Sequence, residues 1–241
     1  MRHTGRVRLL SSDLHDLDLT ETVRDDDLVR LYAFPERGGI RTNFVATLDG
    51  AATGADGLTG SINNAADKVV FDLNRQLADV VVVGAATVDT EGYAPAAGKR
   101  PLIAVSNSAL LPRGWSAGPQ TPGMAVLVVP ERADAAAVSR ARDILGADNV
   151  WQMGADQVDL EELVARLRRD GLPRILSEGG PRLHTALLGL GLVDEVALTW
   201  VPTFAGGPAP RITADQQVTV DFRLRHLLES DGTLLGLWSR R

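Results

Sequence analysis

The residues best suited to chemistry in this chain are Ser177-Glu178-Gly179-Gly180-Pro181-Arg182-Leu183. Paired glycines open backbone conformations that other residues cannot adopt and let a ligand approach the main chain closely. Pro181 carries the preset backbone angle of a first helical position. A helix starting there offers free N–H groups and the positive end of its dipole, which together can hold a phosphate. Glu178 follows the apolar run 173–177, at the strand edge where open α/β sheets bind ligands. Taken alone, the Gly-Gly pair suits a tight strand-to-helix connection without a ligand equally well.

Further polar groups fall at suggestive places. Residues 64–78 read as a helix in which Asp67, Phe71, Asn74 and Arg75 share one face, opposite Val69, Val70, Leu73 and Leu77. Asp67 could protonate or orient a substrate, and Arg75 could pair with a phosphate or carboxylate. A stripe of this kind is more often a solvated helix face. Gly84-Ala85-Ala86-Thr87-Val88 ends a valine run, and Thr87 there could cap a turn or bond a phosphate. Ser106 and Asn107 follow another apolar run and could hold a ribose or its phosphate, or simply form a turn.

These groups must be positioned by a series of alternating elements. Strands are expected at 40–48, 80–83, 101–105, 124–129, 149–151, 173–177 and 194–201, with helices at 64–78, 134–145, 159–170 and 181–190. Residues 217–239 read as two strands joined at Asp231-Gly232, a favoured hairpin turn. Aliphatic runs separated by helices predict an α/β fold: a mainly parallel central sheet with helices on both faces and a C-terminal antiparallel hairpin. Residues 1–38 are expected to form a leader packed on a single domain spanning 39–241, with Asp25 or Asp26 capping a short helix.

The chain has 241 residues, 44% of them hydrophobic and 23% charged, enough to bury a sizeable core. A net charge of -6 argues against a nucleic-acid surface. The absence of cysteine rules out disulfides, thiolate metal sites and a cysteine nucleophile, and fits a cytoplasmic protein. The four histidines, His3, His15, His184 and His226, have no metal-ligand spacing. No segment has the apolar length of a membrane span or a signal peptide. Neither G-x-G-x-x-G nor G-x-x-x-x-G-K-[ST] occurs.

Three ordered motifs carry a resemblance. They are Phe44-Val45-Ala46-Thr47-Leu48-Asp49-Gly50, the stretch from Leu77 to Val88, and Ser177-Glu178-Gly179-Gly180-Pro181 followed by Leu192-Val193-Asp194-Glu195. Over residues 40–240 the chain resembles the pyrimidine reductases of riboflavin biosynthesis, whose fold is similar to dihydrofolate reductase. The resemblance implies an NADPH-dependent reductase of a small molecule, cytoplasmic and homodimeric. It implies cofactor contacts at Val45, Ala46, Thr87, Glu91 and the segment from Gly179 through Gly180, Pro181, Arg182 and Leu183, with Ser106 and Asn107 near the 2′-phosphate. It implies substrate contacts at Arg75 and Glu178, with Asp67 at the place of a pterin-binding carboxylate. The H-x-E and C-x-x-C ligands of the deaminase domain that precedes bifunctional members are missing, so a stand-alone, actinobacterial-type reductase is expected. The family's Ser-x-Trp loop reads Thr59-Gly60-Ser61 here, and Glu91-Gly92-Tyr93 stands where a second substrate arginine is expected. Reduction of dihydrofolate, or NADPH binding without turnover, are the alternatives.

Overall fold

The computed structural model describes residues 7–14, 23–95, 100–115 and 121–241. The leader positions 1–6 and 15–22, including His3 and His15, lie outside the described residues, as do 96–99 and 116–120. The elements are β1 (Arg8–Ser12), α1 (Asp25–Leu31), β2 (Gly39–Thr47), α2 (Ala65–Leu77), β3 (Val80–Gly84), α3 (Ala85–Glu91), β4 (Leu102–Val105), β5 (Ala125–Val129), α4 (Ala135–Leu145), β6 (Val150–Gln152), α5 (Leu160–Arg169), β7 (Arg174–Ser177), α6 (Pro181–Gly189), β8 (Glu195–Val201), β9 (Phe222–Ser230) and β10 (Thr233–Arg240).

Their strands form one sheet in the order β1-β9-β10-β8-β2-β7-β3-β4-β5-β6. Pairing is parallel from β8 through β6 and antiparallel among β8, β10, β9 and β1. Successive strand residues face opposite sides, so the valines of β3 serve two cores. Val80 and Val82 pack with α5 and α6, whereas Val81 and Val83 pack with α3 and α4. The parallel α/β sheet with helices on both faces and the C-terminal hairpin therefore stand as expected.

Three local expectations differ. The described leader residues supply an edge strand, β1, whose Leu9 packs with Leu28, Leu31 and Tyr32 in a cluster shared with β9 and β10. Alternation too short to stand out in the sequence becomes a strand because β9 offers an open edge. Asp25 and Asp26 lie in the first turn of α1 and leave the cap position to Arg24; carboxylates there still suit the helix dipole. Residues 85–91, expected as a turn, form α3, closed by Gly92 in a left-handed conformation.

Chain order matters more than any single element. After β3 the chain runs outward through β4, β5 and β6, then returns to insert β7 between β2 and β3. The carboxyl ends of β2, β7 and β3 thus stand side by side, the place where such sheets bind ligands. Beside them a buried charge locks the layers. The fully buried Arg41 of β2 donates from Nε and Nη2 to Oε2 of Glu195 on β8 at 3.0 and 2.6 Å. Its Nη1 reaches Tyr32 O at 2.6 Å and Asn74 Oδ1 at 2.8 Å, and its guanidinium lies 4.0 Å above the Phe34 ring. Arg225 of β9 donates to the other Glu195 oxygen at 2.8 Å.

Removing one partner of such a pair strands a buried charge. Arg41→Ala is expected to lower stability by about 3–5 kcal/mol, seen as a reduced urea midpoint with an unchanged slope. A loss below about 1 kcal/mol would show that Arg225 alone satisfies Glu195.

Candidate active site

Two cavities open at the carboxyl ends of these strands. The first, about 390 Å³, is lined by β2 (Asn43, Phe44, Val45), α2 (Asp67, Phe71), α3 (Thr87, Glu91) and the turn after β7 (Glu178, Gly179, Gly180). The second, about 510 Å³, is lined by Thr87, Ser106, Asn107, Gln157, Arg182 and Leu183 among others. Ala86, Thr87, Gly180 and Pro181 border both, so the two meet over the start of α6. Each has the size of a small-molecule site.

The glycine turn makes that meeting possible. Gly179 has a φ of +97°, and a Cβ on it would stand 3.0 Å from the Phe44 ring. A Cβ on Gly180 would stand 2.5 Å from Thr87 Oγ1. The turn is stitched to β3 by Gly84 N–H donating to Gly179 O at 2.8 Å. Pro181 takes the first turn of α6, and the Arg182 and Leu183 backbone at that helix start borders the second cavity. Behind the turn, buried His184 stacks on Phe44 with ring centroids 4.5 Å apart, and its Nδ1–H donates to Ile212 O at 2.9 Å. Burial holds this imidazole below its ordinary pKa, against the opposing bond to Ile212 O.

The acidic groups are not a solvated stripe. Asn64 caps α2, its side chain accepting from the Ala66 and Asp67 N–H groups at 3.1 Å each, which fixes Asp67 one turn inside. Asp67 is only 6% exposed. Burial raises its carboxyl from 3.8 to about 6, against the opposing pull of the Thr199 hydroxyl and Lys68. Asn74 is fully buried and faces the Arg41 network, so it leaves the stripe altogether. Glu178 N–H donates to Val82 O, and its carboxylate accepts a fork from Arg75 at 2.7 and 2.5 Å. Burial raises Glu178 and the Arg75 fork opposes it. The Arg75 guanidinium lies between Phe71 and Tyr93, 4.4 and 4.8 Å from their ring centroids. It therefore stands behind Glu178 and holds that carboxylate still, rather than forming cavity wall.

The other expected residues are placed as follows. Val45 lines the first cavity, whereas the Ala46 side chain is buried and lines neither. Ser106 Oγ accepts from Leu110 N–H at 2.7 Å and Asn107 Oδ1 from Val158 N–H at 2.9 Å, leaving the Ser106 hydroxyl hydrogen and the Asn107 NH₂ as donors toward the second cavity. Arg182 is exposed and pairs with Asp215 at 2.8 Å. Glu91 accepts from Thr59 N–H and Oγ at 3.0 and 3.1 Å. Phe71 of the helix stripe and Tyr93 line the first cavity too, as do Asn43 and Thr53, which were not singled out by sequence. A polar Asn43 inside an apolar strand, one residue after Thr42, was the available signal.

The model of the RibD C-terminal domain matches residues 39–235. The chain belongs to the RibD C-terminal domain family. Among curated relatives, a riboflavin biosynthesis protein RibD of Chlamydia muridarum is 26% identical over 185 residues, 73% of this chain; the match spans only 49% of that longer relative. A 2,5-diamino-6-ribosylamino-4(3H)-pyrimidinone 5′-phosphate reductase of Methanothermobacter thermautotrophicus is 29% identical over 72% of this chain and 82% of its own length. The crystal structure of a pyrimidine reductase-like protein from Corynebacterium diphtheriae superposes with a TM-score of 0.73, covering 85% of this chain and 92% of that one at 21% identity. At that identity the likeness speaks for the fold, which is dihydrofolate-reductase-like.

The glycine turn can be tested by volume alone. Gly180→Ala is expected to cost about 1–3 kcal/mol, because the methyl must displace Thr87. Gly114→Ala, with no atom of the described residues within 4 Å of the added carbon, is expected to change stability by less than about 0.5 kcal/mol in the same thermal melt. Equal melts for the two variants would mean that Thr87 yields freely.

Proposed function

We propose that this chain is an NADPH-dependent reductase of the riboflavin pathway. Its substrate is 2,5-diamino-6-ribosylamino-4(3H)-pyrimidinone 5′-phosphate or the deaminated 5-amino-6-(5-phosphoribosylamino)uracil. The supporting observation is the pair of cavities joined across a side-chain-free Gly179-Gly180 backbone, in a member of a family whose relatives carry reductase names.

The residues present suit a dinucleotide. A cradle that a Cβ on Gly180 would fill lies beside a helix start, and the second cavity leads from it to Ser106 and Asn107. On this reading Gly179, Gly180, Pro181, Arg182, Leu183 and Thr87 hold the pyrophosphate. Val45 and the adjoining backbone of Ala46 border the nicotinamide, and Ser106 and Asn107 donate to the adenosine end. When bound, the reduced nicotinamide supplies the hydride.

The chain's own groups then bind, orient and protonate. Arg75 fixes Glu178, whose carboxylate orients polar groups of the pyrimidine through charge-assisted hydrogen bonds. Asp67, held up to about 6 by burial, keeps a protonated fraction near neutrality and gives its proton to the ribosylamino nitrogen as the ring-opened imine form of the sugar, C=N, takes the hydride at carbon and becomes the amine. Walls of Phe71, Tyr93 and Phe44 exclude water from that step. The reading also takes the protein to be a cytoplasmic homodimer joined through its C-terminal strands. The edge-to-face Trp200–Trp238 pair and exposed Leu224 support it by giving that region apolar surface.

The deciding assay follows NADPH oxidation with each pyrimidine and with dihydrofolate in parallel. Turnover of a pyrimidine is expected. Turnover of dihydrofolate alone would replace the reading with a folate reductase, and NADPH binding without any turnover would replace it with a binding protein.

The pH dependence follows from Asp67. Its folded pKa is raised, so the cost of burying the ionised form is absent below about pH 4 and fully present above about pH 6. Asp67→Asn is therefore expected to be more stable than wild type above pH 6, the gain vanishing toward pH 4. Its turnover is expected to fall about 100-fold at pH 6 and to lose the decline that wild type shows at higher pH. An unchanged pH–rate profile would remove Asp67 from proton delivery.

A further inference from the structure

The connection between β2 and α2 is a small body bonded mainly to itself. Gly57 N–H donates to Gly54 O and Gly54 N–H to Leu58 O, both at 3.1 Å. Asp56 Oδ1 accepts from Leu58 N–H at 3.0 Å and from Ser61 Oγ at 2.7 Å. These bonds define the shape of residues 54–61 but not their position over the first cavity. One end is held where Ala52 N–H donates to Pro210 O at 2.8 Å, and the other where Asn64 caps α2.

Between those ends, among the described residues, the hydrogen bonds that tie residues 54–61 to another element run to Glu91. One carboxylate oxygen accepts the Thr59 N–H at 3.0 Å and the other the Thr59 hydroxyl at 3.1 Å. Each partner answers a local defect in the other. Glu91 is the last residue of α3, where the negative end of the helix dipole disfavours a carboxylate. Thr59 opens the 3-10 turn Thr59–Ser61, whose first N–H has no partner inside the turn. Glu91 thus caps that turn from 32 residues away.

The link runs between the two cavities. Gly57, Thr59, Gly60 and Glu91 all line the first. At its other end α3 carries Ala86 and Thr87, which border both cavities. A two-turn helix is stiff, so a ligand pressing on Thr87 also sets the position of Glu91.

We infer that Glu91 is a positioning residue: it latches residues 54–61 onto α3, so that occupancy of the second cavity favours closure of the first. This rests on the assignment of cofactor to the second cavity and pyrimidine to the first.

The test is hydrogen exchange of the residue 54–61 amides in wild type, Glu91→Ala and Glu91→Gln, each with and without NADP⁺. A latch predicts exchange faster by at least about tenfold in Glu91→Ala, which loses both bonds to Thr59, and partial recovery in Glu91→Gln, which keeps one acceptor. NADP⁺ is expected to slow loop exchange in wild type and not in Glu91→Ala. The same variant is expected to raise KM for the pyrimidine about tenfold while the NADP⁺ dissociation constant stays within about twofold. Unchanged loop exchange in Glu91→Ala would overturn the latch. So would loss of NADP⁺ affinity with unchanged loop exchange, which would make the carboxylate a direct cofactor contact. If wild type reduces neither pyrimidine, the functional reading fails, while the exchange comparison between apo proteins still decides for or against the latch.

Discussion

The structure depends on one guanidinium that never meets water. Arg41 joins β2 to β8 through Glu195, to the end of α1 through the Tyr32 and Ala33 carbonyls, and to α2 through Asn74. Asn74 in turn donates to Asn43 at 3.3 Å, and Asn43 lines the first cavity. The face of α2 that carries Asp67, Phe71 and Arg75 is therefore registered against the end of β2 by polar bonds of fixed length. Hydrophobic contacts alone resist sliding less well, since they are non-directional. A buried ion pair gives little net stability against an apolar substitute, but leaving either partner alone is costly, so it discriminates against shifted packings.

The cavities divide the electrostatics between them. The first collects Asp67 and Glu178, both pushed up by burial, and answers only Glu178 with a full fork from Arg75. One carboxylate is thereby held in place by its ion pair, while the other keeps its proton within reach of neutral pH. Two like groups acquire different uses through different partners. The second cavity relies on backbone: a helix start, a glycine turn and short polar side chains, which suit an anion without a fixed lysine.

Much of this was legible in the residues. Runs such as 80–83 and 124–129 read as strands buried on both faces, and 80–83 and 125–129 are buried strand residues, Met124 lying in the preceding turn. The glycine pair before Pro181 announced a helix start with open backbone. Other features were hidden because their cause lies elsewhere in the chain. Strand β1 exists because β9 offers an edge, and α3 because Gly92 ends it and β3 and β4 support it. Asn74 sat at helical spacing with Asp67 and Arg75, yet it faces Arg41, since 100° per residue spreads neighbours wider than a simple stripe suggests. Arg75 and Glu178 were each legible as polar groups aimed at a ligand. That they meet one another, 103 residues apart, was not.

By itself the sequence determined the element types, the parallel sheet and the place of the helix start, because hydrophobic period and turn chemistry act over a few residues. It also determined the chemistry on offer: carboxylates, a guanidinium, hydroxyls and glycine backbone, with no thiol. Only the tertiary structure decided which of these share a cavity. The insertion of β7 between β2 and β3 joined the glycine turn to Thr87 and Phe44, and long-range packing withdrew water from Asp67. Burial and pairing depend on distances between remote segments, and these set the pKa of a carboxylate or the reach of an arginine more strongly than neighbours along the chain.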